Sequence, residues 1–83
     1  MMKIDVKINS SELAGILRSG AYDLPEGATV GALMEMAQCE ADYAISQELA
    51  ANLVFLYNNR HAVLDTVMSE SGKLRVLHKV LGG

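Results

Sequence analysis

Charged and apolar side chains alternate strictly along Lys3-Ile4-Asp5-Val6-Lys7-Ile8. An alternation with a period of two predicts a β-strand with one face in a core and the other face exposed. Such a strand belongs to a sheet that is covered on one side only. The 83 residues suit a single small domain, and the 51% of hydrophobic residues supply its core.

A principal helix is predicted after Thr29, because threonine is a favoured N-cap residue. Its apolar face consists of residues at helical spacing, namely Val30, Leu33, Met34 and Ala37. Gly31 weakens a helix by about 1 kcal/mol relative to alanine, so we expect another segment to pack closely against it. The helix continues, or restarts at Asp42, through Ile45 and Leu49.

The remaining predicted elements are short. They are a helix over 12–18 with Leu13, Ile16 and Leu17 inward, an extended piece over 21–24, a hairpin of 53–57 and 60–63 around Asn58-Asn59, and a last strand over 73–80. Strands at both ends with one main helix between them predict an α+β fold. We expect a mixed sheet of four to five strands, with the first and last strands parallel at its centre.

Charge and composition exclude several classes of protein. The net charge is −3, and the few basic residues do not interleave with aromatic ones, which disfavours nucleic-acid binding. The apolar runs are far shorter than the roughly 20 residues of a membrane-spanning helix. With no signal-peptide pattern at the start, we expect a cytoplasmic protein without a membrane partner.

The sequence offers little for catalysis. Cys39 is the only cysteine, and with two histidines a structural metal site is disfavoured. We expect Cys39 to be a partly buried, inert thiol, His61 to be exposed, and His78 to lie at a face or edge of the sheet. None of them stands in a nucleophile or metal-ligand spacing, so the chain is predicted not to be an enzyme.

Gly82-Gly83 are the last two residues of the sequence. A terminal glycine offers an unhindered carboxylate, and a glycine pair has no side chain to obstruct a narrow channel. The pair is either a loose end or the substrate of a partner enzyme. The second reading explains why it follows a predicted strand so closely.

Several segments resemble the molybdopterin-synthase small-subunit and thiamine-biosynthesis sulfur-carrier family (the MoaD/ThiS type), a ubiquitin-like β-grasp group. The resemblance runs from Lys3 to Gly83. Its strongest pieces are Asp23-Leu24-Pro25-Glu26-Gly27-Ala28-Thr29-Val30 followed by Leu33, Val63-Leu64-Asp65-Thr66-Val67, and Gly82-Gly83. It implies a β-grasp domain over 1–81 with an exposed, flexible tail at 82–83.

The resemblance also implies a reaction. An adenylating, E1-like activating enzyme uses ATP to activate the carboxylate of Gly83, and sulfur from a persulfide donor then displaces AMP. The resulting thiocarboxylate is delivered to a sulfur-accepting synthase subunit. The protein itself binds no cofactor. The alternative is a ubiquitin-like interaction or conjugation module.

The residues implied to bind the partner precede the reactive glycine. Gly82 passes through the partner's channel, and Val80 and Leu81 dock in front of it. Alternation places Arg75, Leu77 and Lys79 on one side of the last strand, with Lys3 and Lys7 on one side of the first. This basic and apolar surface suits an acidic, partly apolar partner, or it merely keeps the sheet soluble.

Three departures from the family leave the sulfur acceptor open between molybdopterin, the thiamine thiazole and another molecule. Asn58-Asn59 stands where an Asn-Gly turn is common, and Glu70-Ser71-Gly72-Lys73 replaces a more acidic loop. His78-Lys79 replaces the proline pair of the molybdopterin branch.

Overall fold

In the computed structural model, which describes residues 1–79, the alternating segment near the start forms a strand with alternately buried and exposed residues. Seven elements follow the order strand, strand, helix, helix and three strands. They are β1 (Met2–Ile8), β2 (Gly20–Leu24), α1 (Val30–Ala41), α2 (Gln47–Ala51), β3 (Leu53–Tyr57), β4 (Arg60–Ala62) and β5 (Gly72–His78).

The two terminal strands of the described chain lie at the centre of the sheet. The strand order is β2-β1-β5-β3-β4, and β1 pairs with β5 in parallel, with Val6 beside Leu74 and Lys7 beside Arg75. The other pairs are antiparallel. The predicted mixed sheet with a parallel central pair is confirmed.

Helix α1 covers one face of this sheet. Thr29 caps it as predicted, because its Oγ1 accepts a hydrogen bond from the amide of Ala32 at 3.1 Å. The four residues of the predicted apolar face are all buried. They pack in one core with the inward residues of the strands, including Ile4, Val6, Leu74 and Val76.

The segment 12–18 is not the predicted helix. Leu13 and Leu17 are buried as expected, but Ile16 is exposed, and the chain makes successive turns closed by a bridge between Ala14 and Leu17. Gly15 explains the difference, because its φ of +87° lies in the left-handed region and interrupts a right-handed helix.

The boundaries of α1 and α2 also correct the predictions. Asp42 adopts φ 52° and ends α1, so the helix neither continues nor restarts there. The second helix begins at Gln47, where the Ser46 hydroxyl accepts from the Leu49 amide at 3.2 Å. Cys39 on α1 is exposed rather than partly buried.

The hairpin and the last strand differ from prediction only at their ends. Asn58 and Asn59 both have positive φ, as their turn requires, but β4 ends at Ala62 rather than at Val63. Strand β5 begins one residue earlier than predicted and ends at His78, so Lys79 is not in the strand, and the predicted last residue, Val80, lies outside the described residues.

Candidate functional site

The predicted reactive end lies outside the described residues. Val80, Leu81, Gly82 and Gly83 all follow Lys79, the last residue that the structure describes. Their assigned roles, and the domain boundary after Leu81, stay predictions.

The chain is held firmly up to the point where this segment begins. At the end of β5, His78 pairs with Leu53 at the start of β3. One residue later, the Lys79 amide donates a hydrogen bond to the Asn52 carbonyl oxygen at 2.6 Å. Lys79, the last described residue, is therefore fixed at one end of a central strand.

Strand β5 presents different residues to the two faces of the sheet. Leu74 and Val76 are buried under α1, whereas Lys73 and Arg75 are exposed on the other face. Leu77 is half-buried and alternates in phase with Arg75. The predicted grouping of Arg75 and Leu77 on one side of the strand is present in the structure.

Pairing across the strands assembles these residues into one surface, which we call the open face. Arg75 lies beside Lys7 of β1 and beside Leu56 of β3. Val54 lies beside Leu77, and Lys73 beside Asp5. A shallow groove on this face is lined by residues that include Asp5, Lys7, Leu56, Asn58, Lys73 and Arg75.

The open face is basic with an apolar strip. Its cations are Lys3, Lys7, Lys73 and Arg75, and its acids are Asp5 and Asp23. Among residues 1–79 the one ion pair joins Arg18 to Glu40 and lies away from this face. The cations of the open face therefore enter no ion pair with the described residues, which leaves them for an acidic partner.

Sequence reasoning missed the apolar strip that β3 contributes. Val54 and Leu56 are half-buried and lie on the open face, beside Leu77 and Arg75. The run Leu53 to Leu56 has no polar residue, so it lacks the alternation that would have marked two faces. A run that is apolar at every position, in a sheet with one exposed face, indicates that part of the exposed face is apolar.

The two histidines and the cysteine lie on three different elements. His61 is exposed on β4, His78 is half-buried on β5, and Cys39 lies on the outer side of α1. Within residues 1–79, no three His, Cys, Asp or Glu side chains come close enough to hold a metal ion. Over the same range, no helix has the length and apolar character needed to cross a membrane.

At the contact between β2 and α1, the pKa values of Arg18 and Tyr22 are shifted. A hydrogen bond to the Glu40 carboxylate raises the pKa of Arg18. Burial raises the pKa of Tyr22, whose ring lies 4.0 Å from the Arg18 guanidinium carbon and whose hydroxyl donates to the Arg18 carbonyl oxygen at 2.7 Å. Arg18 therefore joins β2 to α1 through its contacts with Tyr22 and Glu40.

Comparison with known proteins gives matches by structure. No protein-family model and no curated protein sequence matches the chain. A Pyrococcus furiosus protein named molybdopterin converting factor, subunit 1, superimposes with a TM-score of 0.70 at 23% identity, over 96% of this chain and 100% of that one. Small archaeal modifier protein 1 of Haloferax volcanii gives 0.70 at 19% identity, over 96% and 100%.

A ubiquitin of Caldiarchaeum subterraneum gives a TM-score of 0.54 at 17% identity, over 99% of this chain and 98% of that one. At such low identities the likeness concerns the fold. The superpositions cover nearly the whole of both chains, including the sheet β2-β1-β5-β3-β4 and the helix α1 across one face. The chain therefore has the ubiquitin-like β-grasp fold that its sequence predicts.

Proposed function

We propose that the protein is a sulfur carrier whose Gly83 carboxylate is converted to a thiocarboxylate. The observation that carries the proposal is a Gly-Gly pair only a few residues beyond the central strand of a ubiquitin-like domain. The name of the Pyrococcus neighbour supports it, because that protein is called a molybdopterin converting factor.

The chemistry begins with a poor electrophile. A carboxylate resists attack until one oxygen becomes part of a good leaving group. In this proposal an E1-like activating enzyme joins Gly83 to AMP and releases pyrophosphate from ATP. A persulfide sulfur then attacks the acyl carbon and displaces AMP, and a second thiol reduces the acyl disulfide, releasing the thiocarboxylate and forming a disulfide with the donor sulfur. The protein works in the cytoplasm and binds no cofactor itself.

The described domain contributes a rigid handle. The hydrogen bond between Lys79 and Asn52 fixes the start of the segment that enters the activating enzyme. Gly82 then passes through a channel too narrow for side chains, with Val80 and Leu81 docking in front of it. The partner also contacts the open face and the residue after β5, through Arg75, Leu77 and Lys79.

Intact mass spectrometry tests this proposal. After incubation with a cognate activating enzyme, ATP and a persulfide donor, we expect one oxygen of the protein to be replaced by sulfur. Omission of ATP should abolish the change. A variant with one residue added after Gly83 should fold normally and stay unmodified. Modification of the extended variant at the full rate would show that Gly83 is not the reactive residue.

The docking surface is tested separately by reversing charge. Arg75→Glu places an acid in the middle of the open face, whereas Arg60→Glu makes the same change on the edge strand β4. We expect Arg75→Glu to raise the KM for activation about tenfold and Arg60→Glu to leave it nearly unchanged. Equal effects of the two variants would mean that only net charge matters.

The sulfur is proposed to go to the precursor of molybdopterin, held by a synthase subunit. The alternative acceptor is the thiazole of thiamine. The Pyrococcus name supports the first. The thiocarboxylated protein, offered both precursors with their synthases, should transfer sulfur to the molybdopterin precursor. Transfer to the thiazole alone would reverse the assignment.

A second candidate is a modifier that is joined to lysine residues through Gly83. The Haloferax neighbour supports it, because its name calls it a modifier protein. Purification of the tagged protein from its own cells under denaturing conditions separates the two roles. A ladder of isopeptide-linked products indicates conjugation, and a single thiocarboxylated species indicates a carrier.

A further inference from the structure

Three large apolar side chains are exposed within one loop. Val63, Leu64 and Val67 are 54%, 47% and 58% exposed. They come from the segment between β4 and β5. Single exposed apolar residues are ordinary on a protein surface, but three within five positions form a local patch. We call residues 63–67 the loop patch.

The loop patch is fixed by hydrogen bonds to the beginning of α1. The carbonyl oxygen of Leu64 accepts from the Gly31 amide at 2.8 Å, and that of Thr66 accepts from the Val30 amide at 3.0 Å. The Thr66 hydroxyl accepts from the Val63 amide at 2.9 Å. These bonds satisfy helix amides that would otherwise lack partners. The apolar side chains are therefore held outward by an ordered backbone.

The loop patch meets the start of α1 through Leu64 and Thr66, whereas its first residue directly follows β4. The loop patch is therefore bonded to the helix on the covered side of the sheet. The segment 25–29 that leads into α1 follows Leu24, which pairs with Met2 where β1 begins. Strand β5 begins beside this end of β1 and runs about 20 Å away from it.

The side of the loop patch that meets α1 is acidic, whereas another groove beside it is lined by Arg60, His61 and Glu70 together with Thr66. A groove beside Leu64 is lined by Asp65 and, from α1, by Glu35. Both carboxylates are exposed, and α1 carries Glu35 and Glu40 but no lysine or arginine. A symmetric contact between two copies would place like charges together. Charge complementarity instead favours an apolar occupant that carries positive charge.

We propose that the loop patch, together with the first two turns of α1, is a second docking surface that binds a basic, apolar segment of a partner protein. The occupant places apolar side chains on Val63, Leu64 and Val67 and directs lysine or arginine toward Glu35 and Asp65. An amphipathic helix presents both kinds of side chain from one element. The surface does not take part in the sulfur chemistry.

A synthetic amphipathic peptide of about 15 residues, with leucines at helical spacing and lysines elsewhere, serves as the probe. Amide NMR spectra of the full chain should show shifts confined to residues 30–38 and 63–67. The same peptide with glutamate in place of lysine should bind at least about tenfold more weakly. Equal binding of the two peptides, or shifts centred on the open face, overturns the proposal.

Matched variants locate the binding. The double variant Val63→Ser/Val67→Ser should weaken the lysine peptide about tenfold, whereas Ile16→Ser, an exposed apolar residue elsewhere, should not. Asp65→Lys should weaken it and Glu48→Lys on α2 should not. Amide spectra of each variant verify its fold. Equal loss in Ile16→Ser, or self-association of the free chain that broadens residues 63–67, contradicts the proposal.

Discussion

The two faces of the sheet differ although the same strands build both. On β5, Leu74 and Val76 are fully buried, while Lys73 and Arg75, which alternate with them, are exposed. The same alternation runs along β1. One face therefore determines stability and the other is available for recognition, so substitutions on neighbouring residues should separate folding from binding.

The largest expected effect contrasts two adjacent residues of β5. Leu74→Ala opens a cavity in the core and should lower the free energy of unfolding by about 2–4 kcal/mol. Arg75→Ala removes an exposed side chain and should change it by less than about 0.5 kcal/mol. Urea denaturation measures both. If Arg75→Ala lowered the free energy of unfolding by more than about 1 kcal/mol, the exposed face would also determine stability and the two faces would not be separate in function.

The next effect concerns the covered side, where Gly31 meets the loop patch. An added Cβ would lie 3.2 Å from the Leu64 carbonyl oxygen, which also accepts the hydrogen bond of Gly31. In an open helix Gly→Ala stabilises by about 1 kcal/mol. We expect Gly31→Ala to lower the free energy of unfolding by about 1 kcal/mol, because the close contact displaces that carbonyl.

Thermal or urea unfolding of Gly31→Ala checks this expectation. Ala32→Gly, at the exposed neighbouring position, calibrates helix propensity alone and should cost about 1 kcal/mol. A stabilised Gly31→Ala would mean that the loop moves freely. The loop patch would then lose its fixed position.

Substitution of Tyr22 tests how strongly β2 is attached to the rest of the domain. Its buried ring is on the covered side, and its hydroxyl donates to the Arg18 carbonyl oxygen at 2.7 Å. Tyr22→Phe removes the hydrogen bond and keeps the ring, so we expect a loss of about 0.5–1 kcal/mol in urea unfolding. Tyr43→Phe, at an exposed position, is the control and should have no measurable effect.

The smallest expected effect is the pH dependence that Tyr22 gives to the free energy of unfolding. Burial raises the pKa of Tyr22 above its ordinary value of 10.0, so the folded protein holds this proton more tightly than the unfolded chain. The stabilisation of the folded state by protonated Tyr22 is complete below pH 10, and it is lost as the pH rises through the folded pKa. Tyr22→Phe should reduce the fall in stability above pH 10. An unchanged profile would contradict the assignment.

The periodic spacing of apolar residues was sufficient to predict most of the fold. The alternation at residues 3–8 and the helical spacing after Thr29 each reflect burial on one face, which sequence records directly. The positive φ of Asn58 and Asn59 follows from their residue type. The expected close packing at Gly31 is also present, as the contact with Leu64.

Errors arose where local backbone geometry overrode spacing. Leu13, Ile16 and Leu17 have helical spacing, but the left-handed Gly15 turns Ile16 outward. Asp42 ends α1 through a left-handed conformation that only a minority of aspartates adopt. For the candidate site, alternation found Arg75 and Leu77, but the contribution of Val54 and Leu56 depends on strand pairing that sequence does not record.

The parallel pairing of β1 with β5 has a consequence for synthesis on the ribosome. Residues 1–71 contain the hairpin partners β1 with β2 and β3 with β4, but each pair reaches the other only through β5. A nascent chain therefore carries two unconnected halves of a sheet until its last described strand emerges. Premature termination before residue 72 leaves no partial version of this domain with a continuous sheet, and such products should be cleared by proteases.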